Sequence, residues 1–170
     1  MANLHDRSEE FSLHGELFAK RPKFNNRTLR KYDSTELHAS DTANSPALHV
    51  PSIGLVVSGD AVYNNTHPYL AECDEKARGE WLRALDKIEA LHPNAVVAGH
   101  GVLDPDSSPR HIGETRAYIR DFNQAVASTS TAMDLYRKML ALHPNRVNPG
   151  SLWATAQALR GNAQASGVQK

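Results

Sequence analysis

The patterned part of the chain opens on two short β-prone apolar runs, Ala47 to Val50 and Ile53 to Val57, separated by the turn-prone pair Pro51-Ser52. The second run is almost continuously apolar (Ile53, Leu55, Val56, Val57), the pattern of a strand buried on both faces. Beyond it Trp81, Ala84, Leu85, Ile88 and Leu91 recur at helical spacing, with Asp74 placed to cap the helix and Pro93 to stop it. Ala95 to Ala98 then reads as another buried strand, closing on Gly99-His100-Gly101. A strand, a helix and a strand in that order predict an α/β layer with parallel neighbours.

The remainder is helical in pattern. Ser108-Pro109 reads as a cap and first turn, followed by an apolar stripe of Ile112, Ala117, Ile119, Phe122 and Val126. The stretch Ser128 to Thr131 breaks or re-caps the helix. Met133, Tyr136, Met139, Leu140 and Leu142 then form a second stripe ending near His143-Pro144. After the turn Asn148-Pro149-Gly150, Leu152 to Leu159 predicts a last short helix. Three zones follow: a weakly structured, polar and basic segment 1–35, a folded region 36–160, and a disordered tail 161–170.

Composition narrows the function. The 170 residues suffice for one domain with a real core. Nineteen Lys and Arg balance nineteen Asp and Glu, which leaves no net field to steer the chain onto nucleic acid or an anionic membrane. The basic residues between 20 and 31 fit a solvated segment better than a phosphate site. The single cysteine, Cys73, excludes an intrachain disulfide and reads as an inert thiol in a reducing compartment. Residues 1–10 lack the apolar stretch of a secretory signal, and no run approaches the roughly 20 residues of a membrane span. A cytoplasmic protein is expected.

Candidate chemistry sits where polar groups directly follow apolar strands. Asp60 ends the run Ile53-Gly-Leu-Val-Val-Ser-Gly59, and His100 ends Ala95-Val-Val-Ala-Gly99. Ligands of α/β sheets collect at the carboxyl ends of strands, and the two glycines let the backbone turn there sharply. A carboxylate and an imidazole brought together are good ligands for a first-row metal, zinc foremost, but two donors fall short of the three or four zinc takes. His49, within a strand, reads as a packed residue. No Gly-rich phosphate loop, Gly-x-Ser-x-Gly elbow or His-Glu-x-x-His motif is present.

Several stretches taken in order resemble one branch of the metallo-β-lactamase superfamily. They are Leu48-His-Val-Pro-Ser-Ile-Gly-Leu-Val-Val-Ser-Gly-Asp-Ala-Val-Tyr-Asn64, His67-Pro-Tyr-Leu-Ala-Glu72, the Trp81 helix, Val96-Val-Ala-Gly-His100, and Asp134-Leu-Tyr through Asn148-Pro-Gly-Ser-Leu-Trp153. The resemblance covers roughly residues 36 to 158 and implies the second half of that family's αβ/βα sandwich, a mixed sheet with helices on one face. It also implies metal-assisted hydrolysis of a small molecule at a zinc site. Asp60 matches the metal-bridging carboxylate and His100 the last metal-binding histidine. His67, Tyr69 and Glu72 fall on the loop that borders the substrate cleft.

Two departures qualify the resemblance. Where the branch reads Gly-His-Thr-Asp-Thr, this chain has His38-Ala-Ser-Asp-Thr42, so His38 serves as a ligand only if the loop shifts by one residue. The family's H-x-H-x-D-H signature is absent altogether. Intact chemistry would then need donors from a second chain, in a homodimer or from a complementing partner. That partner would also cover the sheet face which the helices leave open. The competing readings are a non-catalytic binding module, and a metal-independent cyclase or lyase with His67 and Glu72 as acid and base.

Overall fold

A computed structural model describes residues 33–36, 46–102 and 106–161, all within the unit Tyr32–Lys170. In chain order the strands are β1 (Asp33–Glu36), β2 (Pro46–Val50), β3 (Leu55–Val57), β4 (Tyr63–Asn64), β5 (Ala95–Val97) and β6 (His100–Gly101). The helices are α1 (Glu75–Glu89), α2 (Arg110–Ser128), α3 (Ala132–Leu142) and α4 (Pro149–Arg160). The fold is α/β. Its main sheet is mixed, in the order β1-β2-β3-β5, and β4 and β6 form a separate pair.

The parallel neighbours expected from the sequence are β3 and β5, paired Leu55 to Ala95, Val56 to Val96 and Val57 to Val97. The crossover between them is α1. Asp74 caps that helix by accepting from the Ala77 amide at 2.7 Å. Its buried stripe is Trp81, Ala84, Leu85 and Ile88, joined by Arg78. The helix ends ahead of Pro93, which bars the α conformation to the residue before it, and His92 turns left-handed at φ 49°.

At the start of α2, the Ser108 hydroxyl accepts from the Arg110 amide at 3.3 Å. That helix buries Ile112, Tyr118, Ile119 and Phe122, and stops at Ser128. Thr131 re-caps the chain by accepting from the Asp134 amide at 3.1 Å, and α3 begins. The last helix, α4, buries Leu152, Thr155 and Ala156.

Alternation along the strands decides where the core lies. Ala47, Val56 and Val96 share one face and pack into a single cluster with Trp81, Ile88, Ile119 and Phe122. On the opposite face Leu48, Val57 and Val97 are direct cross-strand neighbours, and they are 41%, 36% and 40% exposed. The expectation that Ile53 to Val57 is one strand buried on both faces is therefore corrected. Ile53 belongs to a 3-10 turn, Pro51–Ile53, and is 61% exposed, and only the Val56 side meets the helices.

Strand β1 was not expected. It lies mostly within the segment 1–35 that the sequence pattern reads as weakly structured, and it pairs antiparallel with β2 from Asp33 opposite His49 to Glu36 opposite Pro46. Among the described residues no helix is long and apolar enough to cross a membrane.

Candidate functional site

Asp60 and His100 meet where the parallel strands end. The Ser58 amide donates to the Val97 carbonyl at 3.0 Å, continuing the pairing of β3 and β5 by one step. Gly59 then turns at φ 52°, a left-handed conformation that glycine adopts freely, and Asp60 sits in the 3-10 turn Gly59–Ala61. The Gly99 amide donates to the Gly59 carbonyl at 2.9 Å. With these backbones in contact, His100 Nδ1 comes within 2.7 Å of Asp60 Oδ1.

Neighbouring residues hold the pair in place. The Tyr63 ring, opposite His100 in the β4–β6 pairing, stacks on the imidazole with centroids 5.2 Å apart and planes 9° from parallel. Tyr63 is itself fixed from α2, its amide donating to the Thr115 hydroxyl at 3.0 Å. Beneath the turn, Trp81 Nε1 donates to the Ala61 carbonyl at 2.8 Å. Asp60 and His100 nevertheless remain open to solvent, with side chains 40% and 57% exposed.

A cavity of about 130 Å³ lies beside His100, lined also by Tyr63, His67, Tyr69, Asn148 and Ser151. Three of the residues singled out from the sequence (His67, Tyr69 and His100) thus face one space. Glu72 does not. It is exposed and no part of this lining. His38 and the basic cluster between 20 and 31 lie outside the described residues.

His67 is the buried member of the set, 1% exposed. Its loop is bound to the segment between α3 and α4. The His67 amide donates to the Val147 carbonyl at 3.0 Å, the Val147 amide to the Asn65 carbonyl at 3.0 Å, and Thr66 bridges Val147 in parallel. The Tyr118 hydroxyl is 2.9 Å from His67 Nδ1. Arg146 lies 4.8 Å over the Tyr118 ring and donates to the Thr66 and Glu114 carbonyls, each at 2.9 Å. His143 packs on Tyr118 at 4.7 Å, with its Nε2 3.0 Å from Asp121 Oδ2.

These surroundings oppose charge on the imidazole. Burial above all, then the positive charge of Arg146 and the proximity of His143, lower the pKa of His67 to about 4. Burial pushes the Tyr118 phenol up, against the pull of Arg146. His143 is lowered by burial and by Arg146, with Asp121 opposing both.

The sequence reading assigned no role to Tyr118, His143 or Arg146. The available signal was Tyr118 falling in the helical register of Ile112, Ile119 and Phe122 while carrying a polar tip. Arg78, in the helix after Cys73, donates to the Cys73 carbonyl at 2.5 Å. His49 is half-buried in β2.

Zinc needs three or four protein donors. Among the described residues no group of three or more His, Cys, Asp or Glu is arranged to hold a metal. Asp60 and His100 supply two donors and direct them at each other. The described residues therefore do not make a zinc site by themselves.

The architecture is that of an α/β protein, a mixed sheet with helices on one face and a carboxylate–imidazole pair at the ends of its parallel strands. The crystal structure of a metallo-β-lactamase family protein from Thermus thermophilus is similar, with a TM-score of 0.51 and 19% sequence identity. The likeness covers 93% of this chain and 60% of the solved one, and it establishes a metallo-β-lactamase-like fold. No protein-family model matches the chain, and no curated protein matches it in sequence.

Proposed function

We propose that the protein is a metallo-β-lactamase-like hydrolase acting on a small molecule in the cleft around Asp60 and His100, with further metal donors coming from beyond these two. The observation that carries this reading is the 2.7 Å contact between Asp60 and His100 at adjacent strand ends in a metallo-β-lactamase-like fold. Asp60 accepts from His100 Nδ1–H, which turns the Nε2 lone pair outward as a ligand to a metal or a proton acceptor. Tyr69 and His67 line the adjoining space and would contact substrate. The exposed row Leu48, Val57 and Val97 supports a second chain as the source of missing donors, either another copy or a complementing partner.

A direct test assays hydrolysis of a lactam, a lactone, a thioester and a phosphoester, with and without added zinc. Activity that needs zinc and disappears in both Asp60→Ala and His100→Ala supports the reading. Zinc-independent activity, or activity that survives both substitutions, refutes it.

One observation favours a second reading, a binding module without catalysis. Asp60 Oδ1 and His100 Nδ1 are turned to each other at 2.7 Å, so each already has a partner within the chain. Zinc titration of the purified protein separates the two, because only the hydrolase reading needs a metal bound at this pair.

A further inference from the structure

One polar atom of His67 is unused. Its Nε2 is buried and has no hydrogen-bond partner among the described residues. The other ring nitrogen is committed to Tyr118, and counting donors identifies which nitrogen carries the proton. If the phenol donates to Nδ1, the imidazole is protonated on Nε2 and one buried N–H is left over. If Nδ1–H donates instead, the phenol O–H and the Nε2 lone pair are both left without a partner. Each unsatisfied buried group is costly, so the first arrangement prevails. The phenol keeps its proton in either case, because burial disfavours the phenolate.

We propose that Tyr118 locks His67 in the Nε2–H tautomer, and that this N–H donates to a carbonyl or carboxylate oxygen of a ligand in the cavity His67 shares with His100. The proposal rests on the reading of this cleft as the substrate site. It makes His67 a specificity-determining donor that nothing else among the described residues satisfies. The cavity, about 130 Å³, suits a small acyl or carboxylate group rather than a whole large ligand. The loop is suited to precise placement, because Val147 holds the His67 backbone and Arg146 holds the Thr66 carbonyl. A neutral imidazole here donates a hydrogen bond without releasing its proton, and so polarises a carbonyl without acting as an acid.

The test is nuclear magnetic resonance of the full-length, ¹⁵N-labelled protein at neutral pH without added metal. Two-bond proton–nitrogen correlations should show His67 uncharged, with its proton on Nε2. Acetate, chosen as a small carboxylate probe, should shift that Nε2–H signal, and Tyr118→Phe should give a mixture of tautomers with an acetate response several-fold weaker. A proton on Nδ1 in the wild-type protein, or an Nε2–H signal that acetate leaves unmoved, overturns the proposal. The wild-type spectrum decides the tautomer even if Tyr118→Phe fails to fold. None of these measurements requires zinc, so a failed metal assignment at Asp60 and His100 is distinguishable from a failure here.

Discussion

Gly99 lies against Gly59 so closely that a β-carbon on Gly99 would stand 2.5 Å from both the carbon and the oxygen of the Gly59 carbonyl, and 2.6 Å from Asp60 Oδ1. Real β-carbons do not approach backbone at that distance. The contact between Asp60 and His100 depends on this missing side chain. Gly99→Ala is expected to force the two strand ends apart and to cost about 1–3 kcal/mol of stability, the usual range for overpacking a tight site. Urea denaturation measures the loss, and an unchanged midpoint would show that the loops separate freely.

Zinc content follows from the donor count. The isolated monomer, separated from any dimer and dialysed, should retain well under one zinc ion per chain, since Asp60 and His100 alone hold a metal weakly. Whatever metal elemental analysis detects should fall in both Asp60→Ala and His100→Ala. His38→Ala should leave it unchanged, and a loss as large as that from His100→Ala would place His38 among the ligands.

Acid should destabilise the protein through His67. Its folded pKa, about 4, lies below the ordinary histidine value of 6.5. Between those values the unfolded chain binds a proton that the folded one refuses, so stability falls as pH drops. The contribution is fully present above about pH 6.5 and is lost by about pH 4, at most about 3 kcal/mol from a shift of this size. The groups around the imidazole are Tyr118 from α2, and His143 and Arg146 from the segment after α3, with Asp121 and Glu114 beyond them. His143, itself lowered by burial and by Arg146, adds loss of the same sign. Denaturation midpoints measured from pH 7 to pH 4 should decline, and the decline should flatten in His67→Gln. An equal slope in that variant would assign the effect elsewhere.

The row formed by Leu48, Val57 and Val97 should make the chain associate. Sedimentation velocity of the purified protein is expected to show dimers or larger species, reduced to monomer by Val57→Lys. A cooperatively unfolding monomer at high micromolar concentration would rule out this face as an interface.

What the sequence disclosed depended on how each residue is held. The helix around Trp81, Leu85 and Ile88 was legible from end to end, because its cap, its stripe and its stop are all local signals. The two strand ends were legible too, since Gly59-Asp60 and Gly99-His100 each follow an apolar run. Strand β1 was not. Asp-Ser-Thr-Glu contains no apolar residue, so alternation has nothing to show, and only pairing with β2 makes it a strand. The exposure of Val57 was hidden for the opposite reason, because a valine facing a helix layer and one facing solvent look alike in a short apolar run. The surroundings of His67 were beyond local reading, since Tyr118 reaches it from 51 residues away and Arg146 holds the neighbouring carbonyl from 80.

The bridge between Thr66 and Val147 also imposes a timetable. A chain growing from its N-terminus can join Gly99 to Gly59 as soon as β5 has emerged. The stretch Asn65 to His67 must wait for Val147, since the hydrogen bond from Thr66 to that residue spans 81 positions. Closing so long a loop costs little more than closing one half its length, about 0.6 kcal/mol per doubling, so equilibrium scarcely registers the distance. Synthesis does, because at about 5–20 residues per second those positions take roughly 4–16 s to appear. Through that interval His67 stands in water as an ordinary titrating histidine. It gives up its affinity for protons only when the C-terminal helices close over it.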